Sequence, residues 1–251
     1  LILANNNVPK LRRRLHLKPF VFLNLCFCLL LSTRGVTVFA ETKKSITIGA
    51  PLNSPPFVNT DEKHGIEMDL ISSVFKKLGY SILWRHLPPK RIRHQVMQRE
   101  INVGIRTRPI PGDILYYSQP YIQFQNVAIA IDPNIQVKSI QDLAKYNVVA
   151  FQNAKDVLGS EYSLAVGGGK VYLEMADQAK QIETLFRRRS QVIIMEERIF
   201  SHFQKKSYPK SEVKIFEIFP STPYSAIFYD KNLRDDFDRL LASKNLPPFG
   251  N

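Results

Sequence analysis

Between Ser45 and Ile105 the sequence switches repeatedly between two hydrophobic periods, and few folds accept that alternation. Ser45 to Ala50 sets Ile46 and Ile48 two apart, the spacing of a half-buried strand. Leu70, Ile71, Val74, Phe75 and Leu78 then recur at helical spacing until Gly79 stops the run. Ser81 to Leu87, with Trp84, reads as a second strand, and Ile92, Val96 and Met97 as a short helix ending near Arg99. Ile101 to Ile105 is the third strand. Strand, helix, strand, helix, strand argues for parallel pairing and an α/β lobe. Pro55-Pro56 and Pro88-Pro89 fit neither a central strand nor a helix interior, so both mark loops. Ser54 and Phe57 lie on the first of these loops, Phe57 as a core plug or as a stacking platform.

The second half follows the same order of elements without repeating the sequence. Ser139-Ile140-Gln141-Asp142 is a capping-box-like helix start after the linker Asn134 to Lys138. Asn147 to Phe151 is a strand opening into Gln152-Asn153-Ala154-Lys155. A helix beginning there would leave backbone N–H groups for an anion, although an ordinary strand-to-helix turn reads the same way. Gly167-Gly168-Gly169-Lys170 lacks the first Gly and the final Ser/Thr of a phosphate loop. Ala176, Ala179, Ile182, Leu185 and Phe186 form an amphipathic helix closed by Arg187-Arg188-Arg189, which suits a helix C-terminus. Gln191 to Met195 is a strand with Glu196 and Glu197 at its end. Ligands gather at such ends in open α/β sheets, though either acid could equally cap the next helix. Val213 to Phe219 and Tyr224 to Tyr229 are further strands, and Leu233, Phe237, Leu240 and Leu241 make the last helix, with Asn232 as its cap.

One stretch organises the chain, Ile101 to Tyr121. Arg106 and Arg108 stand two apart after the third strand, so both face one way if the chain stays extended. Buried arginines need an anion, which makes this the lip of a ligand cleft; by spacing alone, two solvated surface arginines fit somewhat better.

Ahead of this fold, Lys10, Arg12, Arg13, Arg14 and Lys18 precede an almost unbroken apolar run from Phe20 to Leu31. Val38-Phe39-Ala40 follows, in the order of an export signal cleaved near Ala40. The apolar run is short for a membrane span of roughly 20 residues. Residues 1–40 carry six Lys or Arg, no acid and both cysteines, so without them the formal charge falls from +13 to +7. The remainder has no disulfide to form. A moderately basic exported protein fits an anionic ligand or an anionic membrane surface and gives no reason to expect nucleic acid.

Five phrases in this order resemble the bacterial extracellular solute-binding proteins of family 3. They are Pro55-Pro56-Phe57, Gly65-Ile66-Glu67-Met68-Asp69-Leu70, Arg91 through Asn102, Tyr117-Ser118-Gln119-Pro120-Tyr121, and Ser139 to Leu143. The resemblance implies a two-lobed α/β fold of the type II periplasmic binding kind. It divides the chain into residues 41–126 plus 219–251 for one lobe and 127–218 for the other, with crossings near 125–130 and 217–224. It implies a monomer without cofactor or metal that hands a small solute to a membrane permease of an ABC transporter, or to a sensor. Amino-acid binders of the family usually clamp the ligand carboxylate with an Arg where this chain has Pro111. Arg106 and Arg108 would replace that clamp, Gln152, Asn153 and nearby N–H groups would hold the ligand from the second lobe, Glu196 would meet a positive group, and Ser54 and Phe57 would line or cover the site. On this reading Arg106→Ala weakens binding far more than folding. The competing reading is an enzyme on the same fold, a dehydratase or peptidoglycan lyase, with Glu196 or Glu197, or more remotely His86 or His94, as acid or base. No nucleophile–His–acid set supports it.

Overall fold

The computed structural model describes residues 44–243. The segment expected to be an export signal, with Cys26, Cys28 and Ala40, lies outside the described residues.

The first five elements are β1 (Lys44–Ala50), α1 (Ile66–Lys77), β2 (Tyr80–His86), α2 (Pro89–Met97) and β3 (Val103–Thr107). β1 pairs in parallel with both β2 and β3, as the alternating periods require. Two glycines make this packing possible. A Cβ on Gly104 would stand 2.4 Å from Ile92 and 2.8 Å from Ile227, so only glycine lets α2 lie this close to β3. Gly65 has φ +147°, and a Cβ there would lie 2.3 Å from the Phe57 carbonyl oxygen; it closes the Pro-rich loop against the start of α1.

The chain continues through β4 (Tyr116–Tyr117) and β5 (Ile122–Phe124), then enters a second sheet with β6 (Asn126–Ala130). That sheet gathers β7 (Val148–Phe151), β8 (Tyr172–Met175), β9 (Val192–Glu196) and β10 (Lys214–Phe216). Its helices are α3 (Ala154–Leu158), α4 (Ser160–Gly167), α5 (Gln178–Phe186) and α6 (Glu197–Ser207). β11 (Thr222–Phe228) returns to the first sheet, and α7 (Lys231–Leu241) packs behind it. The first sheet runs β2-β1-β3-β11-β4, with β5 also on β11; the second runs β10-β6-β9-β7-β8. Only Gln125 separates β5 of one sheet from β6 of the other.

Phe57, Phe75, Phe228 and Phe237 are fully buried in the core that continues from the first sheet to Ile193 and Met195 of the second. Burying each such side chain contributes about 1.5–3 kcal/mol. Among the described residues, no helix is long and apolar enough to cross a membrane, and no cluster of His, Cys, Asp and Glu could hold a metal ion.

Two local expectations need correction, and two elements had no counterpart in the sequence reading. The cap of α7 is Asp230, whose carboxylate accepts from the N–H groups of Asn232 (2.8 Å) and Leu233 (3.4 Å); Asn232 already lies inside the helix. The strand expected over Val213 to Phe219 is confined to Lys214–Phe216, because only these residues reach β6. β8 and α4 were not anticipated at all: β8 is a four-residue edge strand with Leu173 exposed, and α4 buries only Tyr162 and Val166.

Candidate ligand-binding cleft

A cleft of about 750 Å³ opens between the two sheets. The first side contributes Ser54, Arg106, Arg108 and Tyr224, and the second Gln152, Asn153 and Glu196. Six of the seven residues singled out from sequence therefore meet in one cavity. The seventh does not reach it. Phe57 is fully buried, its ring stacked on Phe124 at 4.5 Å between centroids, and it is Phe124, not Phe57, that lines the cleft. Phe57 is the plug; its loop is folded inward over α1, with the N–H groups of Ile66 and Glu67 bonded to the carbonyls of Pro56 and Phe57.

The two arginines do not act as an extended pair. Arg106 has φ +55°, and the β3–β11 register slips opposite it, between Ser225 and Ile227. This is a bulge, with one extra residue on β3. The bulge turns Arg106 inward onto Glu67 of α1, with Nε at 2.8 Å and Nη2 at 2.5 Å from Oε2, while Nη1 donates to Ser54 at 2.8 Å. Glu67 is fully buried, and its other oxygen accepts from the Tyr121 hydroxyl, which in turn accepts the Arg106 N–H at 2.8 Å. Burial and the neighbouring Glu67 push the Tyr121 hydroxyl well above its ordinary pKa, so it stays a donor. The anion that a buried arginine needs is thus supplied by the protein itself.

Arg108 differs. Its Nη1 and Nη2 donate across the cleft mouth to the carbonyls of Val157 (2.9 Å) and Asp156 (3.1 Å) near the end of α3. No carboxylate lies within ion-pair distance of it among the described residues. Lys90 of α2 spans the same mouth to the Asp156 carboxylate at 3.1 Å.

The second wall is likewise satisfied from within. The N–H groups of Asn153 and Lys155, expected to be open to an anion, donate to the Glu174 carboxylate at 2.7 and 3.1 Å. Tyr172 adds its hydroxyl to the same carboxylate at 2.7 Å. Glu196 caps α6 by accepting from the Ile199 N–H at 3.0 Å and pairs with Arg198 at 2.9 Å. Burial raises the Glu196 carboxyl above its usual range, against the pull of Arg198 and the Ile199 N–H. Arg198 also donates to the Gln123 carbonyl and lies over the Phe57 ring at 4.6 Å. A third closed unit stands beside the cleft, where Arg93 binds Asp113 through two bonds of 2.9 and 2.6 Å and Tyr117 donates to the same carboxylate. Burial acts to raise the Asp113 carboxyl, but the bonds from Arg93, Tyr117 and the Leu115 N–H together hold it at about 2. Burial, reinforced by Asp113, pushes Tyr117 to about 12.

Sequence reasoning missed Glu67, Glu174, Tyr121, Phe124, Tyr224 and Arg198. Glu67 carried a signal: with Ile71, Val74 and Leu78 it occupies one helical face, so the apolar stripe of α1 begins on a carboxylate. An acid on a buried stripe demands a cation. His86 and His94 do not line the cleft; the His86 Nδ1 lies 3.0 Å from the Pro51 carbonyl oxygen.

Comparison with solved structures follows this geometry. An ancestral arginine-binding protein bound to arginine superposes with a TM-score of 0.66 at 19% identity, covering 78% of this chain and 90% of that one. The GluR0 ligand-binding core in complex with L-glutamate gives 0.65 at 16%, covering 80% and 91%. The fold is that of the two-lobed type II periplasmic binding proteins. The ancestral amino-acid-binding protein AncCDT-1, a precursor of cyclohexadienyl dehydratase, shares the fold too, with a TM-score of 0.64 at 15% identity over 78% of this chain and 88% of that one. Neither a protein-family model nor a curated protein matches the sequence.

Proposed function

We propose that this chain is an exported, periplasmic solute-binding protein of the family 3 kind. It captures a small anionic or zwitterionic solute between its lobes for delivery to a membrane permease or sensor. The lobes in this proposal are residues 41–126 with 219–251, and 127–218. The observation that carries the reading is the cleft itself: it draws on both sheets, is bridged at its mouth by Arg108 and Lys90, and sits beside the Gln125 crossing. A hinge there would open and close it around a ligand.

An enzymatic reading would rest on Glu196, whose carboxyl is raised by burial. Both of its oxygens are already engaged, one by Arg198 and one by the Ile199 N–H, which favours holding a conformation over moving a proton.

The test is a thermal-shift screen of the full chain against amino acids, small carboxylates, polyamines and cell-wall fragments. A ligand at a hundred times its Kd stabilises by about 2.7 kcal/mol, several degrees for a chain of this size. A shift with one solute class supports the binding reading. Turnover of any panel member would replace it with the enzymatic one.

A further inference from the structure

We propose that the occupant of the cleft is an organic monoanion with an apolar body, held through Arg108, and not an α-amino acid. The inference rests on the binding reading above and narrows its ligand.

A zwitterion needs two unoccupied partners of opposite charge. Among the described residues lining the cleft, the one buried carboxylate, Glu196, is paired with Arg198, and Asp156, at the solvent-exposed mouth, is reached by Lys90. An ammonium group brought in from water would lose its hydration without gaining an ion pair, which is unfavourable. The positive groups are matched from within as well, with one exception. Arg106 is neutralised by Glu67, and Arg93 by Asp113. Arg108 alone among the cleft arginines meets only neutral carbonyls. Its guanidinium has five N–H donors, of which these bonds use two, so a carboxylate can be gripped by the rest of the fork.

The apolar body follows from the other walls. Leu52 and Ile110 line the same cleft and are 42% and 49% exposed, so they present apolar surface to its space. Phe124, Phe151, Met175 and Tyr224 line the same cavity. A hydrocarbon or aromatic body would take this surface out of water, at roughly 25 cal/mol per Å².

The test is calorimetric titration of the full chain with matched probes: 3-phenylpropionate and hexanoate, their α-amino counterparts phenylalanine and norleucine, and the neutral 3-phenylpropionamide. The expected result is binding of the two carboxylates at least tenfold tighter than of the amino acids or the amide. Arg108→Gln should lose at least tenfold of the carboxylate affinity, with an unfolding midpoint lowered by no more than about 4 °C when no ligand is present. Arg108→Lys, which keeps the charge without the fork, should fall between. Tighter binding of phenylalanine or norleucine would overturn the ligand class and leave the binding function standing, and so would carboxylate binding indifferent to Arg108→Gln. No binding of any of the five, together with no shift across the thermal panel, would overturn both.

Discussion

Arg106 and Arg108 are separated by one residue, yet they belong to different regions of the cleft. Arg106 is on the floor, its side chain 10% exposed, bound to a carboxylate that is fully buried. Arg108 is at the mouth, bonded to backbone carbonyls of the opposite lobe. The floor is a closed electrostatic unit in which Arg106, Glu67, Tyr121 and Ser54 satisfy one another. The mouth keeps a positive charge in reserve and uses it to hold the two sides together. A charged residue in a pocket is therefore evidence for a ligand only after its internal partners have been found. The bulge at Arg106 separates the two roles by breaking the alternation that would have aimed both side chains the same way.

The largest effect that this contrast predicts is on the floor. Glu67→Gln should destabilise the protein by about 3–5 kcal/mol, because it leaves the Arg106 charge buried without a counter-ion. Urea unfolding of the variant checks this, and a loss below about 1 kcal/mol would put the Arg106 guanidinium effectively in solvent. The same argument reverses the expectation for Arg106→Ala, which should now cost folding as much as binding.

Asp113 supplies the next effect, at the edge of the cleft. Its folded pKa of about 2 lies below the unfolded value near 3.9, so its contribution is complete above pH 4 and is lost as pH falls through 2. The contribution is on the order of 2 kcal/mol. Asp113→Asn should be less stable than the parent at pH 6, with the gap closing toward pH 2; a gap that does not depend on pH would mean that packing, not charge, holds the unit together.

Variants at the mouth should change stability little. Arg108→Gln should cost under about 1 kcal/mol in unfolding while removing most ligand affinity, the opposite of the Glu67 variant. Lys90→Ala should be smaller still, about 0.5 kcal/mol or less, since Lys90 and Asp156 are 79% and 63% exposed and salt screens the pair. An effect of Lys90→Ala that persists at 1 M salt would show that the mouth is held by more than exposed charge.

The fold was legible where hydrophobic period was strong. The parallel pairing of β1, β2 and β3 and the helix face of α1 followed from spacing alone; of the face expected for α5, Ile182 and Leu185 are buried, while Ala176 and Ala179 are exposed and Ala176 precedes the helix. What escaped was set by tertiary contact. β8 is short and lies at the sheet edge, so it needs little apolar alternation, yet it carries Glu174 to the N–H groups of Asn153 and Lys155. The Arg106 bulge arises from pairing with β11, more than a hundred residues away, and no local signal marks it. Six of the seven site residues were found as positions on a cavity; partners distant in sequence, such as Glu67 for Arg106 and Glu174 for Asn153, were not, because such pairing leaves no trace in local spacing. Glu67 is the exception, since its place on the α1 apolar stripe was visible in the sequence.

The central claim is that the floor arginine is engaged from within and the mouth arginine meets the ligand. The most direct measurement is an NMR titration of the arginine Nε–Hε resonances with 3-phenylpropionate. The account predicts that the Arg108 signal moves through the titration while the Arg106 signal, fixed by its bond to Glu67, stays in place. Movement of Arg106 with Arg108 unchanged would contradict it.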